Sequence, residues 1–118
     1  MSGPRIMLIE DEHIVVESLA RALHQFGAQV VATAATVEQA LALLGPTPEI
    51  DGAVLDINLR GIRAYAVADA LIARGVPLVF TTGYSGAVIP AAYRHIPVLL
   101  KPFSPHEILE SLFPHSDE

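Results

Sequence analysis

The chain has 118 residues, 52% of them hydrophobic, with no cysteine and a formal net charge of −6. That length suits one domain with its own core, and the missing cysteines exclude disulfide frameworks, thiolate metal sites and cysteine nucleophiles. The acidic balance argues against direct nucleic-acid binding, no apolar run reaches membrane-spanning length, and Glu10 and Asp11 follow the first apolar stretch too closely for a signal peptide, so a cytoplasmic location is expected.

A first strand is predicted over 6–9, followed by a helix with Val15, Leu19, Leu23 and Phe26 on one face and Gly27 at its end. The second strand covers 29–32. Thr36 then caps a helix over 37–44, which Gly45 and Pro46 terminate. A third strand over 53–56 precedes a helix over 64–74, stopped by Gly75. The fourth strand is read at 76–80, with a weaker helix over 85–94 that contains Pro90. The fifth strand covers 97–100, and Ser104, Pro105 and Glu107 set the start of a last helix. Continuous apolar strands, each followed by a helix, indicate an α/β fold with a doubly wound parallel sheet covered on both faces. A single domain over 1–118 is expected, with its core over 5–113, a frayed polar tail from Pro114 and no stretch left for an output domain.

In such sheets ligands bind beyond the carboxyl ends of the strands. The first strand ends at Glu10, Asp11 and Glu12, the third at Asp56 before Ile57 and Asn58, the fourth at Thr81, Thr82 and Gly83, and the fifth at Lys101. Lys101 is the only lysine of the chain, beside six arginines. A compact ammonium there suits a carboxylate or a phosphoryl oxygen. Crowded carboxylates repel unless a cation offsets them, and a few oxygen ligands completed by water suit Mg²⁺. Asp56 stands as a nucleophile able to accept a phosphoryl group. Mg²⁺, Lys101 and a Thr hydroxyl would stabilise charge on the transferred oxygens. Each motif alone also reads as an ordinary turn, cap or strand end. Independent turns, however, have no reason to share one sheet edge.

Four motifs carry a family likeness: Ile9 to Asp11, Val54 to Asn58, Thr82 with Gly83, and Lys101 to Phe103. In their order and spacing the chain resembles a bacterial response-regulator receiver domain over residues 5–113. The resemblance implies a five-stranded sheet in the flavodoxin-like order 2-1-3-4-5. It further implies that Asp56 accepts a phosphoryl group from a sensor histidine kinase or a phosphotransfer protein. Asp11, Asp56 and the Asn58 carbonyl would hold Mg²⁺, with Glu10 acting through water. Thr82 and Lys101 would bind the phosphoryl oxygens, and the Lys101–Pro102 bond is expected to be cis. A downstream protein partner is implied but not named by the residues, and weak self-pairing is left open.

The chain departs from the family at Val98, three residues before the lysine, where receivers commonly carry the aromatic rotamer switch. An aromatic stands instead at Tyr84, in a segment resembling the Phe-x-Thr-Gly-Tyr subgroup of stand-alone receivers. Tyr84, flanked by Gly83 and Gly86, is therefore a switch candidate, with simple loop packing as the alternative. His13, His24, His95, His106 and His115 show no metal-ligand spacing. Arg60 and Arg63 read as surface charges, with a kinase contact as the alternative. Two other functions compete with the phosphoacceptor reading. One is a small aspartyl-phosphate phosphohydrolase, disfavoured because Asn58 stands where such enzymes place a second acid. The other is a receiver-like interaction module that no longer uses phosphorylation, disfavoured by the intact acceptor set. Beyond its own Mg²⁺-dependent phosphorylation and dephosphorylation, no enzyme activity is expected.

Overall fold

Parallel pairing of the predicted apolar runs builds the molecule, for which a computed structural model describes residues 3–45, 49–84 and 88–114. In chain order, β1 (Arg5–Ile9) leads to α1 (His13–Gln25), and β2 (Gln29–Ala34) to α2 (Val37–Leu44). After β3 (Gly52–Asp56) comes a short hairpin of β4 (Asn58–Leu59) and β5 (Ile62–Arg63), then α3 (Tyr65–Ala73). β6 (Leu78–Thr82), β7 (Val98–Leu100) and α4 (Pro105–Leu112) complete the set. The main sheet has five strands in the order β2-β1-β3-β6-β7, all parallel. Leaving the hairpin aside, this is the expected 2-1-3-4-5 order.

Two cores explain why the central strands read as unbroken apolar runs. Met7, Ile9, Ala53, Leu55, Leu78 and Phe80 point to one face, where they meet Ala40 and Leu44 of α2 and Val67, Ala68 and Leu71 of α3. Their neighbours Ile6, Leu8, Val54 and Val79 point to the other, against Leu19 and Leu23 of α1 and Ile108 and Leu112 of α4. Burying each large aliphatic side chain contributes about 1.5–3 kcal/mol. The sheet therefore holds its strand ends rigidly.

Local signals set the helix ends. The Thr36 hydroxyl accepts the Gln39 N–H at 3.1 Å. Ser104 forms a reciprocal pair with Glu107: its hydroxyl accepts the Glu107 N–H at 3.1 Å, and the Glu107 carboxylate accepts the Ser104 N–H at 2.8 Å. Gly27 and Gly75, at φ +93° and +72°, follow α1 and α3 in the left-handed region that ends helices. Pro46, also expected to end a helix, lies outside the described residues, as do Ser85, Gly86 and His115. Among the described residues no helix is long and apolar enough to cross a membrane.

Four expectations change. Phe26 sits past the end of α1 and is 54% exposed, so the inward face is Leu19 and Leu23, flanked by half-buried Val16 and Ala20. Within the helix expected over 85–94, the described part holds only a 3-10 turn over Ala91–Tyr93. Pro90 has ψ 147° and stands directly before that turn. A proline lacks the N–H that a helix interior needs and pushes its preceding residue out of the helical region. On β7, Val98 and Leu100 are exposed, because this is an edge strand and only Leu99 reaches a core. Finally, the hairpin of β4 and β5 was not expected. Leu59 pairs with Ile62 across Arg60 and Gly61, both at positive φ (+53° and +84°), which makes a type I′ turn.

Candidate functional site

The four strand ends singled out in the sequence meet at one end of the sheet. β1 delivers Glu10 and Asp11, β3 ends in Asp56, β6 ends in Thr82 and β7 is followed by Lys101. Their register is set by the ladder: Asp56 pairs with Thr81, Thr82 pairs with Leu100, and the Lys101 N–H donates to the Thr82 carbonyl at 2.8 Å. Above them opens a cleft of about 970 Å³, lined by Asp11, Asp56, Asn58, Thr82, Tyr84 and Lys101 together with Glu12, Ile57, Arg63, Tyr65, Gly83 and Val88.

Lys101 is the electrostatic centre. Its ammonium lies 2.8 Å from Asp56 Oδ2 and 2.9 Å from Glu10 Oε1. A carboxylate partner was expected for this ammonium; a second one, Glu10 beside Asp56, was not. Both carboxylates are nearly closed to solvent, with Glu10 and Asp56 each 6% exposed. Burying two anions beside one cation leaves the negative charge undercompensated. Burial, reinforced by the Asp56 charge, pushes the Glu10 carboxyl up to about 7, although Lys101 and the Glu12 N–H pull the other way. Burial lowers the pKa of Lys101, but its bonds to Asp56 and Glu10 outweigh that and leave it raised.

The remaining contacts orient the set. Asp56 Oδ1 accepts the Asn58 N–H at 3.0 Å, and Glu10 Oε2 accepts the Glu12 N–H at 3.1 Å. Asp11 Oδ2 accepts the Arg60 N–H at 2.9 Å, so the turn of the hairpin is tied to the loop after β1. One carboxylate oxygen from each of Glu10, Asp11 and Asp56 lies within 4.8 Å of the others. This all-oxygen group beside an open cleft fits Mg²⁺ better than a softer ion. Ala64 N–H bonds to the Ile57 carbonyl at 2.8 Å, next along the hairpin from the Asn58–Arg63 pair. Antiparallel ladders alternate bonded and unbonded pairs, which leaves the Asn58 carbonyl outside the ladder. The Thr82 hydroxyl accepts the Tyr84 N–H at 3.1 Å and keeps its own proton to donate. The Lys101–Pro102 bond is cis, as expected.

The family model of the response regulator receiver domain matches residues 6–113. The chain belongs to the response regulator receiver domain family. SdrG from Sphingomonas melonis Fr1, a solution structure, is 38% identical over 92% of this chain and 95% of its own, with a TM-score of 0.80. A second SdrG structure, the BeF3-activated conformation, is again 38% identical over 95% of this chain and 96% of its own, with a TM-score of 0.76. The receiver domain of PhyR from Erythrobacter litoralis, at 23% identity over all of this chain and 96% of its own, shares the fold with a TM-score of 0.76. Among curated proteins none matches. Receiver domains work in two-component signalling, typically bind Mg²⁺ at an acidic site, and generally interact with histidine kinases or phosphotransfer proteins.

The structure thus brings Asp11, Asp56, Asn58, Thr82, Tyr84 and Lys101 to one cleft, Tyr84 at its exposed rim, with Glu10 joined to the set through Lys101. The sequence reading took Arg63 as a surface charge or a kinase contact and did not single out Tyr65, yet both line the cleft. Their only sequence signal was Arg60-Gly61, a weaker turn mark than Asn-Gly. His13 and His106 face Glu17 and Glu110 one helical turn on, 3.1 and 3.8 Å away, as solvated pairs.

Proposed function

We propose that this receiver accepts a phosphoryl group on Asp56 from a histidine kinase or phosphotransfer protein of the cytoplasm, and that the modified form changes the surface offered to a downstream protein. One observation carries the proposal. Asp56 lies at the floor of an open cleft with its carboxylate held between the Lys101 ammonium and the Asn58 N–H. Such an arrangement suits a nucleophile held in position, with a cation near where charge on phosphoryl oxygens would need one.

In the transfer, an Asp56 oxygen attacks phosphorus as the P–N bond of the donor breaks, and the imidazole nitrogen leaves with the electron pair. Lys101 turns from the Asp56 carboxylate to a phosphoryl oxygen, and the Thr82 hydroxyl donates its free proton to another. Asp11, Asp56 and the Asn58 carbonyl would hold Mg²⁺, which would neutralise charge on the phosphoryl oxygens. Glu10 would act one water further out. Tyr84 is our candidate for the switch. It is exposed at the rim, its N–H is bonded to the Thr82 hydroxyl, and Val98 offers no aromatic on β7. The BeF3-activated state of SdrG supports a site of this kind in a 38% identical relative.

Incubation with acetyl phosphate and Mg²⁺, read by intact mass, tests the proposal. The wild type should gain one phosphoryl group and Asp56→Asn none. Rapid multiple turnover of small phosphate esters would favour a phosphohydrolase instead. No gain with several donors would leave an interaction module.

A further inference from the structure

The cleft holds a second cation that the acceptor set does not use. Arg63 lies on β5, directly across the hairpin from Asn58, and lines the same cleft as Asp56 and Lys101. Lys101 is already committed to Glu10 and Asp56. Arg63 is exposed, and among the described residues its guanidinium has no hydrogen bond or ion pair. Among the residues lining the cleft it is thus the cation without an anionic partner. Its placement is not that of a loose surface arginine. The type I′ turn and the tie from Arg60 N–H to Asp11 fix the hairpin against the acidic cluster, so the backbone of Arg63 is anchored three residues from that tie.

The charge balance at the mouth gives this arginine a task. Asp11, Glu12 and Asp56 face the cleft against Lys101 and Arg63. A phosphodonor arrives as an anion and meets a net negative rim. A planar guanidinium presents paired N–H donors that match two phosphoryl oxygens, which a point charge cannot do. We propose that Arg63 is a donor-binding residue, contacting the phosphoryl oxygens of the incoming anionic phosphodonor before and during transfer to Asp56. This rests on the phosphoacceptor reading and adds a residue to it. With acetyl phosphate the step balances simply. The Asp56 oxygen–phosphorus bond forms, the bond from phosphorus to the acetyl oxygen breaks, acetate leaves with the electron pair, and no proton moves.

The test compares wild type, Arg63→Gln, Arg63→Lys and, as a charge-matched control outside the cleft, Arg21→Gln. Phosphoryl gain is followed against acetyl phosphate concentration at two salt levels, and Mg²⁺ affinity is measured from amide NMR shifts. Arg63→Gln should raise the half-saturating donor concentration about three- to fivefold, the scale of one solvent-screened charge contact. The difference should shrink at high salt, Arg63→Lys should fall between, and Arg21→Gln should match wild type. Mg²⁺ binding should hold or tighten in Arg63→Gln, since a positive charge has left. A merely distorted hairpin would weaken donor and Mg²⁺ together, and that result overturns the proposal. So does an Arg63→Gln that saturates like wild type, or an Arg21→Gln that loses as much. If wild type itself takes no phosphoryl group, the phosphoacceptor reading fails first and this inference with it.

Discussion

Lys101 faces two buried carboxylates with one charge, and Glu10 carries the imbalance. Its carboxyl, pushed up to about 7 from an ordinary 4.5, makes folding depend on pH. Between those values the native protein holds a proton that the unfolded chain has released. Unfolding then releases that proton, so stability falls as pH rises through this window and levels off above it. In metal-free buffer we expect the wild type to lose about 1–2 kcal/mol between pH 5 and 7.5, and Glu10→Gln to lose less; denaturant titrations at both pH values check this. A flat profile for wild type would show that Lys101 compensates both carboxylates. The lysine itself was legible in the sequence because it stood alone at a strand end. Its second partner was not, since a contact between β1 and the end of β7 depends on strand order and register. Periodicity reports neither.

At the scale of elements, the legible features were those carried by local chemistry. Ser104, Pro105 and Glu107 announce the start of α4, and the reciprocal pair they promise is present. Ser104→Ala should therefore cost about 1 kcal/mol. A urea titration should show a lower midpoint with an unchanged slope, and no shift would mean that packing of Ile108 and Leu112 alone holds the helix. The elements misread are those in which context decides. Phe26 fits the periodic face of α1 but falls after the helix has ended. Val98 and Leu100 belong to an apolar strand expected in a sheet covered on both faces, yet an edge strand buries only one of its faces here. The β4–β5 hairpin has two-residue strands, too short for any alternation to show, and its turn places a non-glycine residue, Arg60, at positive φ. That turn matters because its N–H reaches Asp11. Proline gave a warning at Pro90, where the predicted helix gives way to an extended residue and a 3-10 turn.

Across the whole molecule, the sheet converts four separated sequence motifs into one cleft, and the two cores keep that end of the sheet fixed. On the phosphoacceptor proposal, what would move is then the loops rather than the strands. Two aromatic systems border the cleft. Tyr84 is exposed at the rim, while Tyr65 stacks on Tyr93 with ring centroids 4.8 Å apart and meets Phe80 edge-on. Packed rings of that kind resist displacement, which favours Tyr84 as the mobile reporter. Backbone NMR with and without beryllofluoride and Mg²⁺ should show the largest changes from Thr82 to Tyr84. Changes confined to Val98–Leu100, with a silent Tyr84, would place the switch on β7 instead.

The central claim is that the cleft exists to form an acyl phosphate on one residue. It is tested most directly by locating the phosphoryl group after reaction with acetyl phosphate and Mg²⁺. We predict a single hydroxylamine-labile phosphoryl group on the peptide that contains Asp56, lost in Asp56→Asn. A label that persists in that variant, or maps to another peptide, would contradict the account.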